Sequence, residues 1–92
     1  MENVIFKNHL ISENKSLQII IFEGCEVGFL SSRIKNYFAG VEETFLIPNV
    51  NYGIDGNGFG DFKRFYSLSD AVCYIKNNFN EVVRIFNNAD FD

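Results

Sequence analysis

Apolar residues fall along the chain in short runs separated by polar turns, and the period changes from run to run. Val4–Ile11 is rich in β-branched and aromatic residues, and Ser12-Glu13-Asn14-Lys15-Ser16 is a polar interruption of hairpin length, so the pattern predicts strand, turn, strand. Leu17–Phe22 has Gln18 as its only polar residue and stops at Gly24. A near-continuous apolar run of that length suits a strand covered on both faces, inside a sheet. From Val27 to Phe38 the positions Val27, Leu30, Ile34 and Phe38 fit a helical stripe ended by Gly40. The start of this helix is left open, because Gly28 would sit in its first turn. In the alternative, Glu26–Leu30 pairs back on the preceding strand around Glu23-Gly24-Cys25, and a shorter helix is capped by Ser31 or Ser32.

Further along, Glu43–Ile47 reads as a short strand stopped by Pro48, which cannot donate to a ladder. Phe62–Ser67 resumes as a strand, with Phe62, Arg64 and Tyr66 on one face and Lys63 and Phe65 on the other. Ser67-Leu68-Ser69-Asp70 fits a capping box, and Ala71, Val72, Ile75 and Phe79 make the apolar face of the helix that follows, ending near Asn77-Asn78 and Asn80. Glu81–Phe86 is predicted as a last strand with Val82, Val83, Ile85 and Phe86 inward, and residues 87–92 as a frayed acidic tail. The sum is one α+β domain over residues 1–92. It is expected to be an antiparallel sheet with two helices on one face, in the ferredoxin-like βαββαβ order plus an extra N-terminal strand.

Composition agrees with a single small domain. At 92 residues, with 47% hydrophobic residues and eleven Phe, the chain can build a core without disulfide or metal staples. Its two cysteines, Cys25 and Cys73, are too few and too unpatterned for a disulfide framework or a zinc site. No cofactor or metal is expected. No apolar run approaches the roughly 20 residues of a membrane span, and a cytoplasmic location is expected.

The distribution of charge changes the picture more than its size. From Asn36 to Phe62 there is no Lys or Arg, while Glu42, Glu43, Asp55 and Asp61 all lie there, which equals the whole net charge of -4. A surface of that sign repels phosphate backbones and steers basic partners toward itself. Within the same segment, Asn51–Phe62 holds four of the seven glycines, at Gly53, Gly56, Gly58 and Gly60, and so reads as a loop joining two halves.

The glycine loop fits none of the usual cradles. Gly56-x-Gly58-x-Gly60 precedes a strand, whereas a dinucleotide fingerprint opens a helix, and the Gly-Lys-Ser/Thr of a P-loop is missing. Asp55, Asn57 and Gly60 take the first, third and sixth positions of an EF-hand calcium loop, but Phe59 stands at the fifth and Tyr66 where the bidentate Glu belongs. The segment Gly58-Phe59-Gly60-Asp61-Phe62-Lys63-Arg64-Phe65 is similar to the RNP1 strand of the RNA recognition motif, and Ser69-Asp70-Ala71 resembles the helix that follows it. That resemblance implies a single-stranded nucleic-acid-binding module using Phe62, Phe65, Lys63 and Arg64. It departs from the family at Asp61, an inserted residue, and at Asn57, where the series leads with a basic one. An aromatic core strand after a flexible loop gives the same pattern.

Catalytic chemistry is sparse. His9 is the only histidine, and a Cys–His pair would need Cys25 or Cys73 to meet it in space. Asp55 and Asp61 lie in a glycine loop that would not hold an acid and a base in fixed geometry. The chain is therefore expected to be a binding protein and not an enzyme. The leading expectation is a small acidic inhibitor that occludes a basic, nucleic-acid-handling protein such as a nuclease, of the toxin-immunity or phage anti-defence kind by analogy of size and charge. Glu42, Glu43, Asp55 and Asp61 would steer the encounter, and Tyr52 and Phe59 would anchor it. A homodimer through the open face of the sheet is a further expectation.

Overall fold

Among the described residues, five strands follow one another in the chain and in the sheet. The structure, a computed structural model, describes residues 3–36, 40–51 and 62–88. Strands β1 (Val4–Ile11), β2 (Lys15–Phe22), β3 (Cys25–Asn36), β4 (Gly40–Pro48) and β5 (Phe62–Phe65) pair in that order, each antiparallel to the next. Helices α1 (Leu68–Asn77) and α2 (Phe79–Asn88) come last. The result is a small compact α+β domain.

Two expectations are corrected here, and with them the topology. No helix forms among the described residues of the Val27–Phe38 stretch: Cys25–Asn36 is the middle strand, so a start near Val27 or Ser32 does not apply. Glu81–Phe86 lies inside α2 and is not a strand. The ferredoxin-like βαββαβ order with an extra N-terminal strand is thus replaced by a five-stranded meander followed by two helices.

The tight turn at Glu23-Gly24 decides the first correction. Both residues adopt positive φ, 49° and 80°, the twist that a two-residue hairpin requires, and the chain then pairs back on β2 at once. This is the pairing that the weaker alternative had for Glu26–Leu30. In α2 the apolar residues Phe79, Val82, Val83 and Phe86 recur at helical spacing. The exposed Glu81 and Arg84 pair at 2.6 Å one turn apart, which holds the Glu81 carboxyl below its ordinary pKa through the hydrogen bond and charge of Arg84.

Alternation along the strands defines two sheet faces. Cross-strand partners share a face, so Phe6–Ile20 and Leu30–Phe45–Phe65 lie on one side, while Ile19–Phe29–Leu46–Arg64 lie on the other. On the first side Ile20, Phe22, Val27, Leu30, Phe45 and Ile47 pack with Ala71 and Ile75 of α1 and Val82 of α2. Val27 joins them because it is the extra residue of a bulge between the Ile20–Gly28 and Ile21–Glu26 pairs. None of the buried described residues is polar or charged.

Helix α1 starts as the capping box predicts: Ser67 is extended and its Oγ accepts a hydrogen bond from the Asp70 amide at 3.2 Å. Ser67→Ala should cost about 1 kcal/mol and lower the melting temperature by about 4–8 °C, measured by circular dichroism. The Tyr74 hydroxyl then ties α1 to the chain leaving β4, accepting a bond from the Val50 amide at 2.9 Å. Asn78 breaks the helical path, and its carbonyl accepts the first bond of α2 from Val82. Helix α2 crosses the end of the sheet where β2 turns into β3. The Phe79 ring lies 5.9 Å from Phe22, and Asn87 donates to the Glu26 carbonyl at 3.3 Å. Because α2 runs to Asn88, it includes the first two residues of the tail expected over 87–92.

Candidate binding surface on the open sheet face

The side of the sheet turned away from α1 forms a groove of about 940 Å³. Leu17 of β2, Phe29 of β3 and Leu46 of β4 make its floor, one from each of three adjacent strands. One wall is the β1–β2 hairpin with Leu10 and Ile11; the other is β5 with Phe62 and Arg64. Leu10 and Ile11 are 63% and 67% exposed, unusual for large aliphatic residues and adjacent in one wall.

A bulge builds the hairpin wall. Asn8 pairs with Gln18 and Leu10 with Leu17, leaving His9 as the extra residue of β1. Both His9 and Leu10 thereby line the groove, and the His9 ring lies 5.8 Å from Phe29. Phe29 also meets Phe62 at 6.0 Å and, edge-on, Phe86 of α2 at 5.1 Å. Its own ring is almost fully buried at 5% exposure, so it acts as the supported centre of the floor. Lys15 lines the groove at the β2 side and Arg64 at the β5 side. Among the described residues neither makes an ion pair.

Of the six residues expected to form an acidic site, the structure describes Glu42 and Glu43. Glu42 and Glu43 lie near the Gly40 end of β4, on opposite faces. Glu42 pairs across the strands with Arg33 at 3.6 Å, an exposed contact worth at most about 1 kcal/mol. Glu43 is exposed and sits opposite Ser32. Tyr52, Asp55, Phe59 and Asp61 lie outside the described residues, as does the EF-hand-like series up to Asp61. Their segment leaves the chain beyond the far end of β4, at Asn51, and rejoins it at Phe62, which pairs with Pro48.

The four residues singled out by the RNA-recognition resemblance are split by the sheet. Phe62 and Arg64 face the groove, while Phe65 packs on Tyr74 of α1 at 5.3 Å and Lys63 stands 5.0 Å over the same ring. The facing predicted for β5 is the one observed. Cys25 is half-buried, Cys73 is exposed, and both are free thiols. Among the described residues no group of three or more His, Cys, Asp or Glu side chains is placed to hold a metal. No helix among them is long and apolar enough to cross a membrane.

The groove was missed in the sequence because its parts come from all five strands. Lys15, Leu17, Phe29, Leu46 and Arg64 share no spacing; only the pairing register brings them together. The one local hint was the apolar pair Leu10-Ile11 beside a polar turn. No family model matches the chain, and no curated protein or solved structure matches it either.

Proposed function

We propose that this chain is a small binding protein that inhibits a basic, nucleic-acid-handling protein by occluding its surface. The supporting observation is β4: the whole strand carries two carboxylates, Glu42 and Glu43, and no cation, and it lies inside the basic-free run from Asn36 to Phe62. Glu42, beside Arg33, and the exposed Glu43 on the other face belong to a run whose net charge is negative, which favours capture of a basic surface over a phosphate backbone. Asp55 and Asp61 extend the charge, and Tyr52 and Phe59 supply aromatic anchors. The alternative, a single-stranded nucleic-acid module of RNA-recognition type, retains only Phe62 and Arg64 on the open face.

The test is capture of partners from the host with the parent chain and with two variants, Glu42→Lys/Glu43→Lys and Asp55→Lys/Asp61→Lys. The expected result is a basic protein held by the parent chain, released by moderate salt and lost with both variants, whose activity on nucleic acid falls as the chain is added. Capture unaffected by charge reversal, or direct retention of single-stranded RNA that weakens with salt, overturns the proposal.

A further inference from the structure

The groove on the open face differs in chemistry from the acidic strand, and its dimensions suggest what it holds. Its floor is apolar across three strands, and its cations stand at the two sides. Lys15 is on β2 and Arg64 on β5, three strand spacings or about 14 Å apart across the sheet, and because Arg64 is level with Ile19 they are offset by about 13 Å along the strands. An α-helix with its side chains is about 10–12 Å across. A helix laid between the cations would set one stripe of side chains on Leu17, Phe29 and Leu46 and bring its flanks within reach of both charges.

Charge complementarity fixes the character of that helix. Arg33, opposite Lys15 in the ladder, is answered by Glu42, but Lys15 and Arg64 have no carboxylate partner among the described residues. We propose that the groove seats an amphipathic helix of a partner protein, apolar along one stripe and bearing Asp or Glu on both flanks. The apolar stripe supplies affinity through the area removed from water, and the flanking carboxylates set orientation and exclude basic helices. A single-stranded nucleic acid is disfavoured here: Phe29 is buried, Phe62 is half-buried, and the exposed apolar wall is the aliphatic pair Leu10 and Ile11, which leaves His9 as the one exposed ring of the described lining for a base to stack on. This inference concerns the groove, which shares the open face with Glu42 but is lined by neither carboxylate of β4, and does not rest on the inhibitor proposal.

The experiment uses fluorescence anisotropy with three labelled probes: an 18-residue helical peptide with a leucine stripe and Glu flanks, the same peptide with Lys flanks, and oligouridylate. The Glu peptide is expected to bind at least about tenfold more tightly than the Lys peptide. Lys15→Glu/Arg64→Glu, two exposed positions, should reverse that preference with an unchanged thermal melt. A second variant, Leu10→Ser, removes an exposed apolar wall residue and should weaken both peptides alike. Equal binding of the two peptides, no binding of either, or tighter binding of oligouridylate overturns the proposal. So does sedimentation showing a dimer that Leu10→Ser dissociates, since the groove would then belong to a second copy.

Discussion

A Gly28→Ala variant is expected to melt about 12–24 °C below the parent chain, the consequence of about 3 kcal/mol of overpacking in a domain of this size. Gly28 sits in the middle strand beside Leu46 and Ile47 of β4. A Cβ there would fall on the Leu46 carbonyl oxygen and 2.7 Å from Cδ1 of Ile47. The first of these is backbone in the adjacent strand, which cannot swing aside as a side-chain terminus would. Ile47 is itself fully buried, so its displacement spreads strain into the core. Gly28 does not have positive φ, and the loss is therefore steric and not conformational. A thermal melt followed by circular dichroism measures it. An unchanged midpoint would mean that β3 and β4 do not approach as described.

Ile75→Ala should be comparably severe, at about 2–5 kcal/mol, a large share of the 5–15 kcal/mol that stabilises a typical domain. Ile75 is 1% exposed and joins α1 to the core residues of β2, β3 and β4. Removing three carbons leaves a cavity between a helix and a sheet that are both held by other contacts, so the site cannot collapse around it. Urea unfolding should show a lowered midpoint with an unchanged slope, because the surface exposed on unfolding is nearly the same. A changed slope would indicate that α1 had detached, making the helix layer a less integral part of the fold than its buried residues imply.

The sequence was most legible where a local rule had no competitor. The Ser67 cap, the alternation of Phe62–Phe65 and the apolar run Leu17–Phe22 all describe what forms. It was least legible at β3, where Val27, Leu30 and Ile34 fall at helical spacing by coincidence. Both Phe29 and Leu30 are buried, since one faces α2 and the groove and the other faces the core. A strand buried on both faces loses the alternation that would announce it. In α2 the β-branched Val82, Val83 and Ile85 suggested a strand, yet tertiary packing of one helical face outweighed their modest helix propensity. The candidate site divides likewise. Glu42 and Glu43 could be named from charge alone, whereas the groove depends on a bulge at His9 and on the registers of four successive strand pairings.

The order of elements has a further consequence during synthesis. Every strand of the sheet precedes both helices in the chain, so the strands emerge from the ribosome before anything that can cover their core face. At about 5–20 residues per second, the residues from Leu68 to Asn88 take about 1–4 s to follow. For that interval Ile20, Phe22, Leu30, Phe45 and Ile47 have no helix to pack on, and a chain halted before Leu68 would keep them in water. Such stalled chains should be recognised by chaperones or aggregate through that face, which is covered only once both helices have followed.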